Sequence, residues 1–218
     1  MENHHHPERK NFQIDRMILF TDAVFAIAIT LLVIDLKVPS IPENGTEQDF
    51  LNSISQQLPN FIGFIMSFFI IGLYWFLHHK IFGFVTNYTN KLIWLNLIFL
   101  LSIVLMPYTT SIYSEYSTDE RIMLISPYAM YVFNLCFTGV TEWLLLKYIY
   151  NPKNKVAELL PSLEVRKSAL RRALMVPLVF FFSLLLTFAS PEFGRLFLFT
   201  IPIFNRILAP KKIKKVDN

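Results

Sequence analysis

The sequence predicts an all-α polytopic membrane protein with six transmembrane helices, folded as one domain over residues 1–218. Three observations carry that prediction. The 218 residues are 54% hydrophobic with 22 Phe and a mean hydropathy of +0.44, too apolar for a water-soluble chain of this length. Six runs reach the roughly 20 apolar residues that a helix needs to cross hydrocarbon. Alternate connections between those runs are basic.

The spans are read at 17–37, 58–79, 91–113, 123–148, 170–189 and 191–209. Only Ser190–Arg195, SPEFGR, separates the fifth from the sixth, so that turn must be tight. Of the 20 Lys and Arg, all but Lys37, Arg121 and Arg195 fall in four places. These are the N-terminus (Arg9, Lys10, Arg16), the second connection (Lys80, Lys91), the fourth connection (Lys147 to Arg172) and the tail (Arg206 to Lys215). The intervening connections carry Glu43, Glu47, Asp49, Glu115, Asp119, Glu120 and Glu192. Basic loops stay on the cytoplasmic side, so both termini are expected there. The basic loop and tail are also expected to be drawn to anionic headgroups of the bilayer. The polar N-terminal dozen residues and the long first run do not read as a cleavable signal peptide.

Several chemistries are disfavoured. The single cysteine, Cys136, excludes an intrachain disulfide and a cysteine-based metal cluster. No His, Asp and Glu residues recur at metal-ligand spacing, and no serine or cysteine nucleophile has a base beside it. An enzyme, a bound cofactor and a nucleic-acid partner are therefore not expected. The spans show no internal duplication, which argues against an inverted-repeat transporter within one chain. A symmetric oligomer with one helix per subunit around an axis is the economical way to build a pathway.

The first run, Arg16–Leu36, is RMILFTDAVFAIAITLLVIDL. An ionisable group inside such a span is costly and faces protein or water. At 100° per residue Ile27, Leu31 and Ile34 share one stripe, with Thr30 beside it. Asp22 sits about 140° from Ile27 and about 180° from Leu31. If the Ile27 stripe meets an axis, Asp22 faces its own subunit, where a buried carboxylate needs donors. Arg16, Thr21, His78, His79 and Asn96 are the candidate donors. His78 and His79 are adjacent, so they cannot share a metal on one helix face, and one of them as the partner of Asp22 would be pH-sensitive. Glu142, in the fourth run, is expected to pair with Lys147 or snorkel.

The string Arg16-x-x-x-Phe20-Thr21-Asp22 followed by AVFAIAITLLVIDL resembles the first-helix signature of the transmembrane protein 175 potassium-channel family, in its prokaryotic six-helix branch. Trp75 with His78 and His79 resembles the second-helix W-x-x-H pattern of that family. Leu95-Asn96-Leu97 with Leu105-Met106-Pro107 resembles its third-helix L-N-L…P pattern. The resemblance is good over about residues 12–112 and rests on hydropathy beyond. Thr21 departs from the usual serine but keeps the hydroxyl.

The resemblance implies a homotetrameric, potassium-permeable channel in the plasma membrane, with first helices around a central pore. Ile27 would form the apolar constriction, with Leu31 and Ile34 above it. Thr30 would add a hydroxyl layer that meets K+. Arg16, Phe20, Thr21, Asp22, Trp75, His78, His79 and Asn96 would form a structural polar network. Asp35 at the outer mouth would attract cations. The competing expectation is a proton-coupled or small-solute transporter that uses Asp22 with His78 or His79 as a relay.

Overall fold

The computed structural model describes residues 8–117, 124–190, 193–194 and 197–200. Within them the chain is helical, with no strand and a single isolated bridge between Val85 and Ala157. The helices are α1 (Glu8–Leu31), α2 (Glu47–Gln56), α3 (Leu58–Phe82), α4 (Asn90–Val104), α5 (Met106–Glu115), α6 (Ile125–Ile149) and α7 (Leu163–Thr187). Five segments are long and apolar enough to cross a membrane: Phe12–Asp35, Leu58–Phe82, Asn90–Glu115, Ile125–Ile149 and Leu163–Thr187. The sixth predicted span, 191–209, lies almost wholly outside the described residues, as do Arg121, Arg195 and the basic tail.

The first five spans form where the apolar runs predict, with three differences at their ends. The fifth begins at Leu163 rather than 170, because the Ser162 hydroxyl accepts from the Val165 N–H and Glu164 sits in the first turn. Arg166, Lys167, Arg171 and Arg172 therefore ride on a helix, not in a loop. The first acidic connection contains α2. Its start is a capping box: Thr46 Oγ1 accepts from the Asp49 N–H at 3.3 Å, and Asp49 Oδ2 accepts from the Thr46 N–H at 2.8 Å. Those bonds from Thr46 hold the Asp49 carboxyl below its usual range. The first span ends in a 3₁₀ turn, Leu32–Asp35, which tightens its last residues to about 120° each.

The third span is broken. Pro107 is the second residue of α5, two after Leu105, and a proline has no N–H for the carbonyl one turn back. Polar side chains from α6 serve this break, as backbone at membrane depth requires. Asn134 Nδ2 donates to the Ser102 carbonyl at 3.2 Å and lies 3.4 Å from Thr109 Oγ1. One turn nearer Glu115, Ser67 Oγ on α3 meets Thr110 Oγ1 at 2.7 Å and Tyr131 Oη at 3.2 Å. Antiparallel α6 and α7 approach closely where Gly139 meets Pro177. A Cβ on Gly139 would stand 2.7 Å from the proline Cδ, so this contact admits only glycine.

Candidate functional site: the two sides of the first helix

α1 presents two different surfaces. Ile14, Thr21, Phe25, Ala28 and, just past its end, Leu32 are buried, at the i, i+7, i+11, i+14, i+18 spacing of one helix face. Phe25 is 1% exposed and touches His78 and Phe99, with ring centroids 6.0 and 5.9 Å away. The opposite edge is open. Ile27 is 58% exposed, Leu31 39% and Ile34 71%, and Thr30 lies among them. Phe20, Ala23, Ile27, Thr30 and Ile34 are all exposed at alternating steps of three and four, the spacing by which one helix faces another. The Thr30 hydroxyl donates to the Ile27 carbonyl at 2.9 Å. Its proton is thus committed, and its lone pairs are left facing outward. Asp35 is exposed where the 3₁₀ turn ends.

The buried side is tied to α3 and α4 by a hydrogen-bond chain of fixed polarity. Thr21 Oγ1 donates to the Met17 carbonyl at 2.9 Å, so it can only accept from its next neighbour. Asn96 Nδ2 supplies that bond at 2.8 Å. Asn96 Oδ1 is then turned to His78 Nε2 at 2.9 Å, and the imidazole donates through that nitrogen. His78 is 3% exposed and stacked between Phe82 (4.0 Å, 19°) and Phe99 (5.6 Å, 3°). Three helices are joined through one asparagine.

Asp22 is not part of this chain. Its Oδ1 accepts from Trp75 Nε1 at 2.9 Å. None of the candidate donors Arg16, Thr21, His78, His79 and Asn96 takes that place. The sequence motif named the tryptophan but not its role, because an indole N–H gives no spacing signal of its own. His79 stacks on Trp75, with centroids 5.8 Å apart. Arg16 lies over the Phe12 ring at 5.8 Å, and with Phe20 it lines an open groove that reaches Asn96. The expected single polar network is thus two separate arrangements, Thr21–Asn96–His78 and Asp22–Trp75, with Arg16 and Phe20 outside both. No relay joins Asp22 to a histidine, which removes the geometry that the transporter expectation needs.

Glu142 also differs from expectation. It is 3% exposed, with a buried Oε1 that has no hydrogen-bond partner. Lys147, its expected partner, instead lies over the Trp143 ring at 4.6 Å. Beyond the end of α6, burial holds the Tyr150 hydroxyl above its ordinary range, against the opposing pull of Arg172 and Arg166. Arg166 Nη1 donates to the Tyr150 carbonyl at 2.9 Å. Among the described residues no group of three His, Cys, Asp or Glu side chains could hold a metal ion.

Residues 16–107 match the sequence profile of the family described as "Endosomal/lysosomal potassium channel TMEM175". A protein of Streptomyces collinus described as a potassium channel is 36% identical over 106 residues, which are 49% of this chain and 50% of that protein. A Gallus gallus protein described as the endosomal/lysosomal proton channel TMEM175 is 35% identical over 112 residues, 49% of this chain and 22% of that protein. The aligned part thus spans about half, or less, of these relatives' length. In fold, the chain superposes on the crystal structure of a TMEM175 homologue from Chamaesiphon minutus, described as a lysosomal potassium-selective channel. That superposition has a TM-score of 0.70 at 21% identity over 89% of this chain and 97% of the other. The matched segment contains α1 from Arg16 onward, α3, α4 and the start of α5, the elements that carry both sides of the first helix. Over residues 16–107 the chain is thus similar in sequence to the TMEM175 family, and over 89% of its length it shares the fold of a TMEM175 homologue.

Proposed function

We propose that this protein is a potassium-permeable cation channel of the plasma membrane, a homotetramer with α1 of each subunit lining an axial pore and both termini in the cytoplasm. The observation that carries this reading is the unpartnered edge of α1: it holds Ile27, Leu31 and Ile34 together with Thr30, while the opposite side is fully packed. Four such edges across an axis would form an apolar ring at Ile27. A ring of that kind gates by excluding water. Thr30 would lie one turn away, and its hydroxyl, already donating to Ile27 O, offers an acceptor oxygen to a passing K+. Hydroxyl dipoles on a flexible ring discriminate less than a rigid stack of carbonyls, so the expected selectivity for K+ over Na+ is modest. Asp35 at the outer mouth would raise the local cation concentration.

Relatives with matching segments are described variously as potassium channels and as proton channels. The test therefore measures both ions. Protein reconstituted in liposomes with a K+ gradient is expected to pass K+ without a second substrate. Ile27→Asn, which makes the constriction polar, is expected to raise that flux at least tenfold. Pathways that carry only protons, or an absence of K+ flux in both proteins, would contradict the proposal.

A further inference from the structure

At the Asp35 end of the bundle, opposite the basic residues of α7, a cavity of about 260 Å³ opens between the 3₁₀ turn of the first span, the start of α3 and the end of α5. Its polar lining is rich in acceptors. The carboxylates of Asp35 and Glu115 contribute, together with Asn60 and the hydroxyls of Ser111 and Ser114. Ser114 is only 4% exposed, and its Oγ has no hydrogen-bond partner. Gly63 gives that hydroxyl its room, since a Cβ there would collide with it. The rest of the lining is apolar and partly aromatic, including Leu32, Phe64 and Ile112. Among the described residues, the one cation that lines the cavity is Lys37, whose Nζ stands 3.4 Å from Glu115 Oε2. Both side chains are largely solvated, so the pair is weak and readily exchanged.

We propose that this cavity binds a small primary-ammonium cation, with the ammonium taking the place of Lys37 at Glu115 and the alkyl part lying against Phe64 and Ile112. Three features favour this ligand over a bare metal ion. A dehydrated cation needs oxygens on nearly all sides, whereas half of this wall is hydrocarbon. A primary ammonium has three donors for a carboxylate and nearby hydroxyls. The side chain that already occupies the carboxylate is itself a primary ammonium on an alkyl stem. Because the ligand would touch Leu32 at the last turn of the first span, occupancy would bear on the same helix whose other edge is assigned to the pore. The binding itself does not depend on that assignment.

Butylammonium is the probe, titrated by calorimetry into the full chain in phosphatidylcholine nanodiscs without any ion gradient. Saturable binding at one site per subunit is expected. Glu115→Gln should weaken it at least tenfold. Lys37→Met removes the internal competitor and should tighten it several-fold, a gain that impaired folding cannot imitate. Failure of butylammonium to saturate either wild type or Lys37→Met, or equal binding of uncharged butan-1-ol, would overturn the proposal. A protein that binds butylammonium but passes no K+ keeps the site and loses the channel reading. One that passes K+ and binds nothing does the reverse.

Discussion

Helices α1 and α3 both leave large apolar side chains uncovered, yet the two surfaces are built differently. α3 exposes Phe61, Ile62, Ile65, Met66, Phe69 and Leu73, bulky residues with no polar atom among them. The exposed edge of α1 interleaves Ile27, Leu31 and Ile34 with Ala23, Ala26 and Thr30. Lipid tails solvate the first kind of surface without cost. The second has the small residues and hydroxyls that let helices approach closely in a membrane. Exposure alone therefore does not identify a partner-facing surface in this protein. Side-chain size and the placement of one hydroxyl separate the two exposed surfaces, and they are the basis on which the α1 edge is proposed to meet a partner.

The most forceful way to break this comparison is to cut into the packed side of α1 and into the open face of α3 with the same kind of change. Phe25→Ala removes a ring that is 1% exposed and touches His78 and Phe99, and is expected to cost about 3–5 kcal/mol. Ile65→Ala, at 48% exposure, is expected to stay within about 0.5 kcal/mol. Thermal melts of detergent-solubilised protein compare the two, and similar shifts would dissolve the distinction between faces.

A smaller effect is expected within the packed side itself. Asn96→Leu leaves His78 Nε2 without its acceptor and takes the only donor from Thr21. The expected loss is about 1–3 kcal/mol, the cost of stranding a buried polar group. In an isolated His78→Phe variant that group is absent from the start, so a double variant should recover part of the loss. Strict additivity of the two single changes would mean that the chain from Thr21 to His78 is not one unit.

How far the sequence announced these features depends on the kind of signal each carries. The first five spans were legible because hydropathy sums over 20 residues, and the two sides of α1 because its 3.6-residue period places Ile27 and Asp22 far apart. Ile34 falls in the 3₁₀ turn rather than on the ideal helix, and still points outward. The start of α7 was missed because Arg166 to Arg172 depress hydropathy while Ser162 caps the helix regardless. α2 was missed for a similar reason: its signal was the Thr46-x-x-Asp49 capping pattern, not apolarity. The donor to Asp22 was misassigned because charge complementarity favours Arg and His, whereas the fold brings Trp75 to it. Asn134, Ser67 and Tyr131 gave no warning at all. Each is a lone polar residue in an apolar run, and its meaning comes from a partner on another helix.

In the proposed tetramer the Ile27 edge of α1 meets the same edge of neighbouring copies. Oxidative cross-linking in membranes tests it most directly, starting from a Cys136→Ser background that has no other thiol. Ile27→Cys is expected to give disulfide-linked dimers on a denaturing gel, and Ala28→Cys, on the packed side at 1% exposure, to give none. Monomer alone from Ile27→Cys, with dimers from a cysteine at Ile65 on the open face of α3, would contradict it.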